Sequence, residues 1–375
     1  MSALPRIAAA FAAAAVAAGG LAVAPAAGAA ASSGPPFLSQ FHKLTTIVST
    51  VPANGDVNPY GTFVIGRSTG RLHAGNVLVS NFNNKANLQG TGTTIVQISP
   101  SGHRTLFAHI TASMLPGRCP GGVGLTTALV ELRAGWVIVG STPSKNGQAT
   151  TSKAGCLIVL DSAGRVRETI AGHGINGPWD ATVADHGSSA SLFVTNVLNG
   201  TVAAGGAVVH RGTVLRLGLA VSAGRPPRLE SVTTIGSGFA EQTSSTAFVV
   251  GPTGVGLGRG GKLFVADTFA NRITAIPGAA NRNSSAGTGT TITSGGALSG
   301  PLGLTIAPGG DVLTVNGGNG KIVETTPNGR QVATRLLDNS GSPPGSGALF
   351  GLAIAPNGNG VYYVDDAVNT LRLLH

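Results

Sequence analysis

The stretch Gly251-Pro252-Thr253-Gly254, followed by Gly260-Gly261-Lys262-Leu263-Phe264-Val265-Ala266-Asp267 and then Asn271-Arg272-Ile273-Thr274-Ala275-Ile276, decides the fold. A Gly-Pro-x-Gly opening, a glycine turn, an apolar run ending in an acid, and a second β-branched run read as short strands joined by tight turns. The order then recurs. Gly300-Pro301-Leu302-Gly303 leads to Val312-Leu313-Thr314-Val315-Asn316 and Lys321-Ile322-Val323-Glu324. Leu349-Phe350-Gly351 leads to Val361-Tyr362-Tyr363-Val364-Asp365-Asp366 and Leu371-Arg372-Leu373-Leu374. Repetition at about 50 residues is the mark of a propeller or solenoid.

Weaker copies stand upstream. Pro59-Tyr60-Gly61 leads to Val77-Leu78-Val79-Ser80-Asn81, Gly122-Val123-Gly124-Leu125 to Val137-Ile138-Val139-Gly140-Ser141, and Gly177-Pro178-Trp179-Asp180 to Leu192-Phe193-Val194-Thr195-Asn196. The strand-ending residues Asn81, Ser141, Asn196, Asp267, Asn316 and Asp366 thus mark six units. A fourth strand follows the turns Ser99-Pro100-Ser101-Gly102, Asp161-Ser162-Ala163-Gly164 and Thr326-Pro327-Asn328-Gly329. The last unit lacks that strand, while His42-Lys43-Leu44-Thr45-Thr46-Ile47-Val48 precedes the first unit without one of its own. Pairing the two closes a ring and leaves no blade incomplete. The expectation is an all-β, six-bladed β-propeller whose N-terminal strand completes the last blade.

Composition agrees. The chain has 375 residues, 42% hydrophobic and 10% charged, with 58 Gly and 21 Pro. That is enough apolar content for a sizeable core and too much glycine for long helices. The net charge of +10 comes from scattered single residues, with no basic run interleaved with aromatics, so no specific nucleic-acid site is expected. Arg6, the Ala-rich apolar stretch 7–23 and the small residues Ala27-Gly28-Ala29 read as a cleaved signal peptide over 1–31, leaving 32–375 as one domain. No later stretch is apolar and long enough to span a bilayer. The expectation is a secreted, periplasmic or cell-surface monomer. Cys119 and Cys156 are the two thiols, either bridged in an oxidising compartment or buried separately.

Gly-Pro-x-Gly with Leu263-Phe264-Val265-Ala266-Asp267 and Asn271-Arg272-Ile273 resembles the NHL repeat, and the chain after residue 31 resembles a six-bladed NHL-type propeller, with long insertions at 83–93, 143–154 and 199–211. The resemblance implies a fold and leaves the chemistry open, since propellers of this group include lactone hydrolases, an amidating lyase, redox enzymes and binding modules.

Candidate sites are few. Gly66-Arg67-Ser68-Thr69-Gly70 fits a nucleophile-elbow pattern but is expected between strands, without the helix an elbow needs. Gly256-Leu257-Gly258-Arg259-Gly260-Gly261 fits a dinucleotide glycine pattern but leads into a strand. The eight His show no zinc spacing, although His173 and His186 flank Trp179. The repeated strand-ending Asp and Asn either cap turns or form an oxygen ring for calcium. Asp180 beside Trp179, joined by Asn58 and Tyr60, is the candidate ligand-binding group at a channel mouth, with Glu131 and Asp56 as further acids. Two uses follow. The first is a binding or scaffold module, without cofactor, for an extracellular carbohydrate or protein ligand. The second is a calcium-dependent lactonase or hydrolase.

Overall fold

The computed structural model of the chain describes residues 34–375, and the expected leader at 1–31 lies outside them. Strands account for 49% and helix for 5%. Six antiparallel sheets follow one another around an axis. Their inner strands are Val57–Val64, Leu125–Glu131, Gly177–Asp185, Pro252–Leu257, Pro301–Ile306 and Leu349–Ile354. Each packs against the next, and the sixth against the first. The ring closes as the sequence implies: Leu44–Ser49 pairs antiparallel with Thr370–Leu374, from Leu44 opposite Leu374 to Ser49 opposite Thr370. His375 N–H donates to the Lys43 carbonyl at 2.9 Å.

The second strands Val137–Ser141, Leu263–Asp267, Val312–Asn316 and Val361–Asp365 are buried at every position, because neighbouring blades cover both faces of each sheet. This is why they are continuous apolar runs and not alternating ones. The core accordingly lies between blades. One cluster joins Ile138 and Leu157 of blade 2 to Leu192 and Leu217 of blade 3, another joins Leu313 and Ile322 of blade 5 to Leu352 and Tyr363 of blade 6.

Hydroxyl side chains carry hydrogen bonds across the seams near the axis. Ser80 Oγ accepts from Gly61 N–H and donates to the Thr126 carbonyl of blade 2. Thr126 Oγ1 donates to Pro178 O of blade 3, Thr195 Oγ1 to Thr253 O of blade 4, and Thr268 Oγ1 to Pro301 O of blade 5. At the same level every inner strand bulges where it leaves register with its neighbour. Four blades place glycine there. A Cβ on Gly254, Gly303 or Gly351 would run into a backbone carbonyl of the next blade, that of Leu302, Phe350 and Tyr60 respectively.

Register corrects one repeat position. Pro252 pairs with Asp267 and Pro301 with Asn316, and Leu349 pairs with Asp365, so Asp365 occupies the sixth place and Asp366 lies one residue beyond it. The repeated residues tie chain entries to strand ends. Asn196 Oδ1 accepts from Asn176 and Gly177 N–H, and Ser141 Oγ accepts from Gly124 N–H. Asn81 and Asn316 donate to the carbonyls of Thr50 and Ala297, while Asp267 and Asp365 pair with Arg272 and Arg372, each at 2.8 Å. Cys119 and Cys156 form a disulfide with Cα atoms 5.4 Å apart. Blade 3 is larger than the template: its outer strands run Val209–Ala220 and Arg228–Ser244, and a fifth strand, Phe248–Val250, pairs with the end of the latter.

Gly303→Ala is expected to lower the unfolding free energy by about 1–3 kcal/mol through overpacking at the blade 5–6 seam. Gly309→Ala, where an added Cβ meets nothing within 4 Å, should stay within about 0.5 kcal/mol. Urea unfolding of both variants checks this, and equal stabilities would remove the backbone-contact account of closure.

Candidate functional site

The inner strands enclose a cavity of about 330 Å³ on the ring axis. All six contribute to its wall, which mixes apolar residues and glycine with Thr62, Thr127, Thr182 and Thr305, and Val64, Leu257, Ile306 and Ile354 lie toward the face where the strands end. At the other end, where the strands begin, a cluster of rings seals it. Tyr60 stacks on Phe82 and Phe350 with centroids 4.6 and 4.1 Å apart, and Trp179 stacks on Phe248 at 6.2 Å and meets Phe82 edge-on at 5.5 Å. Tyr60 and Trp179 are 2% and 4% exposed. Two expected mouth residues are therefore parts of a buried plug. Burial also pushes the Tyr60 phenol well above its usual range. Asn58 is buried beside the plug, and its N–H donates to Asn369 Oδ1 at 2.6 Å.

Directly under the plug lies the level of the bulges. Gly61, Gly254, Gly303 and Gly351 occupy it in four blades, Asp180 in blade 3, and in blade 2 a longer bulge spans Thr126, Thr127 and Ala128. Asp180 is the one carboxylic acid on the cavity wall, and Thr127 lines the same wall and the narrow recess beneath Trp179. The Thr127 hydroxyl has no hydrogen-bond partner among the described residues. Asp180 Oδ2 accepts from Val255 N–H of blade 4 at 3.0 Å, and Oδ1 from Ala181 N–H at 2.9 Å. Desolvation pushes this carboxyl up to about 7 although both N–H groups pull it down. A carboxyl raised toward neutrality by burial suits general acid–base chemistry. Sequence reasoning missed Thr127; its signal is the extra residue that blade 2 carries between Leu125 and Leu129.

The other candidates do not converge here. Asp56 Oδ2 accepts from Thr93 N–H and from the Thr93 and Thr94 hydroxyls, fixing a turn of blade 1. Glu131 stands at the end of its inner strand, where Oε2 accepts from Gly66 N–H at 3.1 Å. Burial raises it to about 7, and Asp185 adds to the shift. His173 lies on the connection into blade 3 and His186 on the turn after its inner strand, so they sit on opposite faces. Residues 66–70 join two strands, and Arg259–Gly261 forms a single 3-10 turn leading into Leu263–Asp267, so neither glycine pattern is built as its motif requires.

Calcium takes six to eight oxygen ligands. The cavity offers one carboxylate, with each oxygen already engaged by an N–H, and no group of three His, Cys, Asp or Glu suited to a metal exists among the described residues. These residues do not fit the ion.

No family model and no curated protein matches the chain. Solved structures do match in shape. A gluconolactonase from Xanthomonas campestris is 14% identical with a TM-score of 0.58, covering 94% of this chain and 98% of its own. Regucalcin from Agrobacterium tumefaciens, a calcium-binding protein, is 13% identical with a TM-score of 0.54, covering 87% and 94%. A streptogramin B lyase is 13% identical with a TM-score of 0.51, covering 89% and 97%. At these identities the likeness is one of fold.

Four carboxyls, Asp180, Glu131, Glu241 and Asp366, are pushed up to about 7, burial being the first cause in each. The folded chain therefore binds their protons more tightly than the unfolded chain, where such groups titrate near about 4. The stability this brings is full below about pH 4 and is lost as pH rises through about 7. The melting temperature is expected to be higher at about pH 5 than at about pH 8, with a smaller difference in Asp180→Asn. A higher value at the alkaline end would contradict these shifts.

Proposed function

We propose that this propeller acts on a small molecule held in its central cavity, as a metal-independent hydrolase of lactones or esters. The observation that carries the proposal is the pairing of Asp180, poised near neutrality, with the free Thr127 hydroxyl at the bottom of a cavity open at one end. The ionised Asp180 takes a proton from a water molecule as its oxygen attacks the substrate carbonyl, while Thr127 donates a hydrogen bond to the carbonyl oxygen. The carbon–oxygen bond to the leaving group then breaks, and Asp180 returns the proton to the departing alkoxide. Water is consumed and an acid and an alcohol are formed, a single hydroxy acid where the substrate is a lactone. The gluconolactonase among the structural neighbours supports this substrate class by fold analogy alone. In the same proposal residues 1–31 direct export, the Cys119–Cys156 bridge suits an oxidising compartment, and the closed ring works as a monomer.

A second reading, a module binding a carbohydrate or protein ligand, is favoured by one observation. Leu88, Val208, Phe269 and Val368 are exposed, and all lie on loops after second strands, at the sealed face.

A panel of lactones and 4-nitrophenyl esters separates the two. Turnover should survive chelation, and kcat/KM should rise as pH passes through about 7, because the base must be ionised. Asp180→Asn is expected to reduce kcat by about 100-fold or more. Full activity in that variant would overturn the mechanism, and no turnover of any member would favour the binding module.

A further inference from the structure

The open mouth carries a charge pattern that the chemistry at the bottom does not require. Each inner strand ends there in a turn to the second strand, and three of these turns bear an exposed arginine two or three residues after a cavity-lining residue: Arg67 after Val64, Arg133 after Val130, and Arg259 after Leu257. The Arg67 and Arg133 guanidinium groups make no hydrogen bond or ion pair among the described residues. Their backbones are held in place nonetheless. Gly66 N–H, beside Arg67, donates to Glu131 Oε2, and Arg133 N–H donates to Asp185 Oδ2 at 2.7 Å. Arg259 reaches across the next seam to the Pro308 carbonyl at 2.9 Å.

The acids at this mouth are engaged with backbone N–H groups and leave the Arg67 and Arg133 guanidinium groups unpaired among the described residues. Asp185 spends its two oxygens on the N–H groups of Arg133 and Gly187, and Glu131 is buried with one oxygen on Gly66. Neither makes an ion pair among the described residues. The rim thus holds two unpaired guanidinium groups, and the bottom carries a carboxylate that repels anions when ionised. This arrangement orients a ligand with one negative end, charge at the rim.

We propose that the ligand of this cavity carries a carboxylate, held at the rim by Arg67 and Arg133, so that the reacting ester or lactone group lies at the level of Asp180 and Thr127. This inference rests on the cavity being the working site and adds the chemical class of its ligand.

Two probes of equal size test it, 4-nitrobenzoate and 4-nitrobenzamide, by equilibrium dialysis against the whole protein. The benzoate is expected to bind about fivefold more tightly at low salt. That preference should vanish in the double variant Arg67→Gln, Arg133→Gln and shrink at about 0.5 M salt, with the benzamide unchanged. Thr182→Trp, which fills the cavity from its wall, should abolish binding of both. Equal affinities, or a preference that survives the double variant, would overturn the rim assignment while leaving a Thr182→Trp-sensitive cavity as the site. Binding of neither probe, or binding indifferent to Thr182→Trp, would overturn the cavity as working site and the rim assignment with it.

Discussion

Contact between backbones at the ring axis governs the rest of this structure. Sheets radiating from one axis are closest at their inner strands, and at Gly254, Gly303 and Gly351 the chain comes so near the next blade's carbonyl that no side chain fits. The seam clusters of Val, Ile and Leu can pack only once that approach is made, because they fill the wedge that opens outward from it. The hydroxyl relays of Ser80, Thr126, Thr195 and Thr268 then fix the angle between successive blades by pairing carbonyls that the bulges have freed from the ladder. Burial holds each sheet together, but the seams make six sheets one body.

The same constraint decides where chemistry can stand. A side chain at the bulge level must find space that four blades do not have, and blade 3 does so by substituting one contact for another. The Asp180 carboxylate accepts the Val255 N–H of blade 4 and takes over the task of closing that seam. The candidate proton carrier is therefore also a structural tie, and the two roles need variants that separate them. An amide at position 180 still offers an oxygen to Val255 N–H but no longer exchanges a proton near neutrality, so a loss of turnover without a loss of folding speaks of the proton.

What was legible in the sequence was whatever repeats. The turn before each strand, the apolar second strands and the unpaired N-terminal run each follow from local chemistry, and the pairing of Leu44–Ser49 with Thr370–Leu374 follows from counting strands. Asp365 and Asp366 both satisfy the repeat pattern, and only register separates them. The burial of Tyr60 and Trp179 was illegible for a different reason. Their partners Phe82, Phe248 and Phe350 come from blades 1, 3 and 6, distant in sequence, and meet only on the axis. Phe248 belongs to the extra strand of blade 3, which the template does not contain. Departures from the repeat hold the candidate site: Asp180 stands where glycine recurs, and Thr127 lies in a bulge one residue longer than its counterparts.

The plug gives the cavity a direction. With one end filled by stacked rings, any ligand of the cavity must enter and leave by the same mouth, so the rim would act on both steps. In the proposed reaction, hydrolysis of a lactone or ester adds a new acid group, and once ionised at the depth of Asp180 it is repelled by that carboxylate. Repulsion at the bottom and attraction at the rim point the same way, outward. If the proposed hydrolysis holds, the charge it creates favours release, opposed by whatever hold the rim arginines have on the product.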